Sequence, residues 1–137
     1  MTVHCNRPLT VDAVIIYDGK ILFVRRGHEP FKGRLALPGG FVEANETVEE
    51  AITREVREET GLETKIIQLL GVYSDPNRDP RGPMVSICYL LRAAGGTLSA
   101  ASDAVGIELI SPDQVPELAF DHNKMVADAL GVGALEG

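Results

Sequence analysis

The sequence contains no tryptophan, few aromatic residues (5%) and two cysteines, Cys5 and Cys88. Two cysteines in unlike contexts, without a CxxC pair, exclude a disulfide framework and fit a reducing compartment. No apolar run approaches the roughly 20 residues that a bilayer span needs. The first residues, MTVHCNRPL, lack the basic and apolar regions of a signal peptide. We therefore expect a cytoplasmic protein without a membrane partner.

Positive charge is also scarce, because 20 aspartates and glutamates outnumber 13 lysines and arginines and give a net charge of −7. A surface that binds nucleic acid needs a basic stripe, so we expect no nucleic-acid partner. Small anionic substrates remain compatible, since a bound metal ion and a few local arginines can reverse the field at a site. With 137 residues, 45% of them hydrophobic, we expect one domain over residues 1–137.

The most informative stretch is residues 39–62, GGFVEANETVEEAITREVREETGL. It predicts a tight Gly39-Gly40 loop and then a helix over residues 47–60, which Gly61 ends. At about 100° per residue, three apolar side chains share one face and three carboxylates fall in an arc that overlaps it: Val48, Ala51 and Ile52, then Glu55, Glu58 and Glu59. Like charges at this spacing repel one another, more so when partly buried. The pattern predicts a divalent cation with oxygen ligands, Mg²⁺ or Mn²⁺.

The same residues resemble the Nudix box, G-x5-E-x7-R-E-U-x-E-E-x-G-U, in which U is a bulky aliphatic residue. Every specified position is filled, by Gly40, Glu46, Arg54, Glu55, Val56, Glu58, Glu59, Gly61 and Leu62. The resemblance implies a fold of the α/β (α+β) class, an α-β-α sandwich with a mixed sheet. It also implies a metal-dependent hydrolase that cleaves a nucleoside diphosphate linked to another moiety.

The resemblance assigns two roles within this stretch. The expected metal ligands are three side chains and one backbone oxygen: Glu55, Glu58, Glu59 and the carbonyl of Gly39. The three glutamates are also candidate catalytic residues, because a bound metal bridges phosphate oxygens and lowers the pKa of an attacking water. In the family, the residues at the positions of Glu46 and Arg54 form a structural ion pair that joins the loop to the helix, and we expect the same here.

The segment YSDPNRDPRG, residues 73–82, is stiff and polar, which favours a binding loop over a linker. It resembles the SDPxRDPRG stretch of ADP-ribose pyrophosphatase-like Nudix proteins. In that subgroup a proline at a set distance beyond the box marks ADP-ribose specificity, and here the position is Arg78, between two prolines. The candidate contacts to ribose or phosphate are Arg78, Asp79 and Arg81. The alternative is a rigid turn in which the aspartate and an arginine bind each other.

Arginines upstream of the box are further candidate phosphate ligands, because a guanidinium group matches phosphate oxygens. Arg25 and Arg26 are consecutive in a predicted strand, so their side chains point to opposite faces. At most one of them is therefore expected to reach the substrate. We assign Arg25 and Arg34 to the substrate site.

A general base has candidates inside and outside the box. They are Asp103, Glu108 and one of the box glutamates, and we place Asp103 in the catalytic set. His122 is expected to be an N-terminal or packing residue of the last helix. The candidates for stacking on a nucleotide base are Tyr17, Tyr73, Phe31 and Phe120.

The rest of the chain alternates strands with turns. Apolar and β-branched runs predict strands at residues 9–17, 20–26, 65–72, 85–92 and 105–110, and an Asp18-Gly19 hairpin turn joins the first two. A second amphipathic helix is predicted at residues 120–130. This mixture favours helices that cover a mixed sheet.

The function predicted from the box and the loop is Mg²⁺-dependent hydrolysis of ADP-ribose to AMP and ribose 5-phosphate. Two alternatives stay open, a MutT-like nucleoside triphosphate pyrophosphohydrolase and a non-catalytic domain that senses ADP-ribose. Sensors of that kind usually carry a winged-helix domain downstream, and because the sequence stops at Gly137 we expect an enzyme. The resembling enzymes often pair, so a homodimer is expected.

Overall fold

A mixed sheet forms the centre of the computed structural model, which describes residues 4–99 and 104–135 and shows seven strands and two α-helices within them. The strands are β1 (Leu9–Tyr17), β2 (Lys20–Arg26), β3 (Leu35–Ala36), β4 (Gly39–Phe41), β5 (Leu62–Tyr73), β6 (Val85–Gly96) and β7 (Ala104–Ile110). The helices are α1 (Val48–Thr60) and α2 (His122–Gly131), with a 3-10 turn at Pro112–Gln114. In the described ranges no helix is both long and apolar enough to cross a membrane.

The order of the strands agrees with the predicted mixed sheet. The main path runs β3-β2-β1-β6-β5, while β4 pairs with β1 and β7 pairs with β2. β1 and β6 are parallel, from Leu9 opposite Val85 to Ile16 opposite Arg92. The other pairs are antiparallel. β5 and β6 extend beyond the predicted 65–72 and 85–92, because their pairing continues to Leu62 opposite Gly96.

Alternation along the central strand β1 divides the core into two layers. One layer packs three side chains of β1 against α1: Val11, Ala13 and Ile15 with Ala51, Ile52 and Val56. The other packs the alternate side chains against α2: Val14 and Ile16 with Met125, Val126 and Ala129. The sheet thus lies between two helices, which confirms the predicted α-β-α sandwich.

Local signals place the ends of α1 where the sequence predicts them. Thr47 caps the helix by accepting from the N–H of Glu50, whose side chain accepts from the N–H of Thr47 in return. This capping box satisfies two backbone donors that would otherwise lack partners. Gly61 ends the helix with a left-handed φ of 78°. Both ends of α1 are therefore determined by residues next to them in the sequence.

Candidate active site

Two carboxylates of α1 lie against β4. The sequence predicted a tight loop at Gly39 and Gly40, but these residues form a short strand because they pair with Asp12 and Val11 of β1. Glu55 and Glu59, one turn apart, line a cavity of about 400 Å³ together with Gly39 and Gly40. The Gly39 N–H donates to Glu59 Oε1 at 3.4 Å. A Cβ atom at Gly40 would lie 2.5 Å from the carboxyl carbon of Glu55. Glycine at this position therefore lets the carboxylate approach the backbone closely.

These two carboxylates occupy a partly desolvated position. Burial raises the pKa of Glu55. Burial, together with the neighbouring Glu55 carboxylate, raises the pKa of Glu59. Two carboxyl groups so placed cannot both ionise freely and are stabilised by a shared proton or by a cation. Carboxylate and carbonyl oxygens are the donors that hard divalent cations prefer, so these residues fit Mg²⁺ or Mn²⁺.

Glu58 does not line this cavity with the other two carboxylates, which differs from the predicted convergence of all three. Its side chain is 59% exposed and accepts from Arg54 Nη1 at 3.2 Å. Accordingly, within residues 4–99 and 104–135 no three acidic, histidine or cysteine side chains surround a common point at metal-ligand spacing. Arg54 Nη1 donates to both Glu55 and Glu58, so Glu58 is held beside Glu55 by a shared guanidinium group but faces solvent instead of the cavity.

The ion pair expected between Glu46 and Arg54 is present. Arg54 Nη2 and Nε donate to the two carboxylate oxygens of Glu46 at 2.6 and 3.0 Å. Nη2 also donates to the Phe41 carbonyl at 3.1 Å. Arg54 further reaches Glu55, at 2.8 Å, although a helical wheel separates the two by about 100°. The pair therefore joins the loop after β4 to the middle of α1.

A second cavity, of about 160 Å³, adjoins the first and is lined by basic and aromatic side chains. Arg26 and residues 39–41 form a wall common to both cavities. The Arg81 guanidinium lies 5.4 Å from the Phe41 ring centre and 5.5 Å from that of Phe120. Burial and repulsion by Arg81 lower the pKa of Arg26. An anion placed between the two guanidinium groups would relieve this repulsion.

The structure favours Arg26 over Arg25 as the arginine that faces the site. Arg25 lines the edge of the first cavity, but its Nε bonds to Glu108 at 3.1 Å and its Nη1 to the Gly33 carbonyl at 2.7 Å. Arg26 uses Nε to bond to the Pro30 carbonyl at 2.6 Å, and within the described ranges it forms no ion pair. Strand alternation could not separate the two arginines, because both faces of β2 are covered.

The arginines and the aspartate assigned in the 73–82 loop are bound to protein partners. The Arg78 side chain is 4% exposed and donates to both oxygens of Asp121, at 2.9 and 2.7 Å. Asp79 accepts from Arg81 Nη2 at 2.8 Å and from its Nε at 3.1 Å. The structure therefore shows the second of the two predicted arrangements, a turn in which the aspartate and an arginine bind each other. Arg81 still lines the second cavity, whereas Arg78 serves as its buried wall.

Two other assigned or candidate residues, Arg34 and Glu108, do not line either cavity. Arg34 Nη1 lies 3.5 Å from Glu117, and both side chains are exposed. Glu108 forms an ion pair with Arg25. Asp103 lies outside the described residues.

The whole-chain comparison decides the family. A model described as the NUDIX domain matches residues 6–129. The chain belongs to the Nudix family. The family predicted from the box is thus confirmed, and the two cavities flank the Nudix loop at Gly39 and Gly40.

Named relatives cover most of this Nudix chain. The ADP-ribose pyrophosphatase of Methanocaldococcus jannaschii is 53% identical over 125 residues, 91% of this chain and 74% of the relative. The NUDIX domain of Shewanella oneidensis NrtR, solved with ADP ribose, is 29% identical with a TM-score of 0.82, and the match covers 94% of this chain and 90% of that one. A bifunctional NMN adenylyltransferase/ADP ribose pyrophosphatase of Francisella tularensis was solved with AMP and a Mn ion. It is 30% identical with a TM-score of 0.78, over 93% of this chain and 42% of that one.

Proposed function

We propose that this Nudix domain, as a single unit over residues 1–137, hydrolyses ADP-ribose to AMP and ribose 5-phosphate with Mg²⁺ as its cofactor. The observation that carries the proposal is the adjacency of the two cavities. One is lined by the carboxylates of Glu55 and Glu59, the other by Arg81, and Arg26 and Gly39–Phe41 line both. A diphosphate needs a cation-binding group on one side and guanidinium donors on the other. The 53% identity to an ADP-ribose pyrophosphatase supports the choice of substrate.

The proposed cation ligands are the three box glutamates and one backbone oxygen: Glu55, Glu58, Glu59 and the carbonyl of Gly39. A divalent cation bound there supplies Lewis-acid polarisation of the phosphate and a water of lowered pKa. Glu58 joins the set by exchanging its exposed contact with Arg54 for the cation. Mn²⁺ is accepted by the same oxygen donors, and a structural relative contains a Mn ion.

The chain's own residues would orient the substrate around this position. Arg26 and Arg81 would bind diphosphate oxygens, and Phe41, which is 45% exposed, offers a ring beside them for a planar base. Asp103 is the proposed proton acceptor. The test of that role is Asp103→Asn, which should remove the acidic limb of the pH–rate profile of kcat while leaving the KM for ADP-ribose near the wild-type value.

A substrate panel tests the reaction directly. Phosphate released after phosphatase treatment would be measured for ADP-ribose, NADH, Ap4A and the deoxynucleoside triphosphates, each with Mg²⁺. We expect the highest kcat/KM for ADP-ribose. A value for ADP-ribose at or below that of the triphosphates would instead support a MutT-like pyrophosphohydrolase.

Glutamine variants test the assignment of the carboxylates. Glu59→Gln should lower kcat by about 10²-fold or more, because it removes a proposed ligand of the catalytic cation. Glu49→Gln, on the exposed side of the same helix, is the matched control and should keep the wild-type kcat. Normal turnover in Glu59→Gln, with the protein folded, would contradict the assignment.

A second candidate function is recognition of ADP-ribose without hydrolysis. The similarity to the NUDIX domain of NrtR, solved with ADP ribose, favours it. Calorimetric binding of ADP-ribose in the presence of Mg²⁺, without formation of AMP, would establish this function in place of the first.

We also propose that the protein acts in the cytoplasm as a homodimer. Three apolar side chains on the outer strand β5 support a partner: Ile67, Leu69 and Val72, which are 45%, 53% and 58% exposed. An edge strand with such side chains is commonly covered. Sedimentation equilibrium should give twice the chain mass, and a monomer at micromolar concentration would contradict it.

A further inference from the structure

His122 is buried in a way that packing alone does not explain. It is the first residue of α2 and is 3% exposed. The backbone N–H of Leu37 donates to its Nδ1 at 3.0 Å. Because Nδ1 accepts this hydrogen bond, the ring proton of the neutral imidazole is on Nε2. Nε2 lies 3.4 Å from Asp12 Oδ1, so both ring nitrogens have partners.

The carboxylate of Asp12, which contacts Nε2 of His122, is itself held in place by neighbouring groups. It is on β1, 8% exposed, and its second oxygen accepts from the hydroxyl of Ser86, which is fully buried. In the pairing of β1 with β4, Asp12 is opposite Gly39. A Cβ atom at Gly39 would lie 2.6 Å from Asp12 Oδ1. The backbone at Gly39 therefore lies directly on the carboxylate that His122 contacts.

Three consecutive residues, Leu37, Pro38 and Gly39, each contact α2 or β1. Leu37 donates to His122, the Pro38 carbonyl accepts from the Ala13 N–H at 2.9 Å, and Gly39 pairs with Asp12. The next link leads to α1, since the Gly39 N–H donates to Glu59. A continuous path of contacts thus connects α2, on one face of the sheet, with the carboxylates of α1 on the other.

We propose that His122 is a positioning residue for the cation site. Through Nδ1 it holds Leu37, and through Leu37 it sets the position of the Gly39 backbone relative to Glu59. The inference rests on the proposed function, because it takes the Gly39 carbonyl and Glu59 as cation ligands. It assigns α2 a role in the site, although no residue of α2 has been assigned as a cation ligand.

Two isosteric substitutions separate this role from packing. In His122→Asn the side-chain oxygen can replace Nδ1 as the acceptor for Leu37. In His122→Gln the amide reaches the position of Nε2, next to Asp12, and leaves the Leu37 N–H without its acceptor. Both variants lose a similar ring area, so loss of packing should affect them alike.

Mn²⁺ affinity of the full chain without substrate, measured by electron paramagnetic resonance, is the main readout. We expect His122→Gln to weaken Mn²⁺ binding about tenfold, as is usual for a residue that supports a metal ligand, and His122→Asn to stay close to wild type. The ¹⁵N–¹⁵N coupling between the Leu37 amide and His122 Nδ1 should be present in the wild-type protein. Exchange protection of the Leu37 amide should persist in His122→Asn and disappear in His122→Gln.

The outcomes distinguish this inference from the proposed function. If the wild-type protein does not bind Mn²⁺, the proposed function fails, and this inference with it. If it binds Mn²⁺ but His122→Gln binds equally well after losing Leu37 protection, only the inference is overturned. Should His122→Gln fail to fold, the α-hydroxy analogue of leucine at position 37 removes the donor and keeps the imidazole. Unchanged Mn²⁺ affinity in that ester variant would overturn the inference as well.

Discussion

Arg25 and Arg26 are neighbours in sequence with the same side chain but different surroundings. Arg25 is held by Glu108 and the Gly33 carbonyl. Arg26 lies between the two cavities, with repulsion from Arg81 lowering its pKa. The carboxylates of α1 show the same contrast, since Glu59 is turned toward the loop and Glu58 toward Arg54 and solvent. For a single charged residue, the protein groups that already bind its side chain determine whether it can bind a substrate.

Alanine substitutions of the two arginines test this contrast. Arg26→Ala should raise the KM for ADP-ribose by about 10- to 100-fold, because a charge-assisted hydrogen bond contributes about 1.5–3 kcal/mol. Arg25→Ala is the matched control and should change KM by less than about threefold. Steady-state kinetics on both variants measures the difference. A larger rise in KM for Arg25→Ala would restore Arg25 as the substrate ligand.

At the scale of secondary structure, α1 combines two functions along its length. Its buried side chains Ala51, Ile52 and Val56 attach it to the sheet, and Glu55 and Glu59 face the loop. Gly61 allows the chain to turn directly from the helix into β5. The 73–82 loop is held by one internal ion pair, Asp79–Arg81, and by the pair of Arg78 with Asp121, which precedes α2.

Gly61→Ala should destabilise the protein. Gly61 has a φ of 78°, and a Cβ atom there would collide with the Thr97 carbonyl. We expect the free energy of unfolding to fall by about 1–3 kcal/mol or more, the usual range for a non-glycine residue held in a strained conformation. Gly95→Ala, where nothing lies within 4 Å of the added Cβ, should change it by no more than about 0.5 kcal/mol. Urea unfolding of both variants provides the measurement.

The Asp79–Arg81 pair should make the stability of the 73–82 loop depend on pH. Burial alone would raise the pKa of Asp79, but the bonds from Arg81 lower it below the ordinary value. Because the pKa of Asp79 is lower in the folded than in the unfolded state, the ion pair stabilises the folded protein fully above about pH 4. This stabilisation is lost as the pH falls through the folded-state pKa. Asp79→Asn should therefore be less stable than wild type at pH 7, and the difference should shrink near pH 3.

Urea unfolding at several pH values measures this difference, with the exposed Asp113→Asn as the control. Equal acid sensitivity of wild type and Asp79→Asn would show that the pair contributes nothing to stability. A rise in the KM of Asp79→Asn for ADP-ribose at pH 7 would show that the Asp79–Arg81 pair also orients Arg81 toward the substrate.

For the molecule as a whole, the sandwich brings separate parts of the chain to one place. The cavities are lined by residues from β1, β2, β4, α1, the 73–82 loop and the start of α2. Glu55 and Glu59 stay close together because α1 is packed on the sheet through Ala51, Ile52 and Val56. A cation that relieves the repulsion between their carboxylates should therefore stabilise the entire fold.

Metal addition and removal test this coupling. For the wild-type protein, Mg²⁺ or Mn²⁺ at 100 times Kd should add about 2.7 kcal/mol to the free energy of unfolding, and chelation should reverse the gain. Glu59→Gln should be more stable than wild type without metal, because one of two repelling carboxylates is removed, and should respond less to metal. Differential scanning calorimetry with and without Mn²⁺ measures both effects. An equal response in the two proteins would place the cation elsewhere.

The sequence by itself determined the family, the fold class and the helix that carries the carboxylates, because these depend on local spacing. The nine box positions, which include Gly61 at the end of the helix, are all within one short stretch, where periodicity and backbone conformation decide the structure. The Glu46–Arg54 pair could also be predicted, but only from the resemblance to the family, in which the residues at these two positions form an ion pair.

Tertiary structure alone decided which charged groups are available. Glu108 is 83 residues from Arg25 and Asp121 is 43 residues from Arg78, and no local pattern predicts which distant carboxylate will bind an arginine. The same holds for His122, 85 residues from Leu37, which appears in the sequence as a packing residue. Long-range pairing in the sheet and across its faces selects these partners. The helix that carries the carboxylates could therefore be predicted from the sequence, but the arginine side of the site could not.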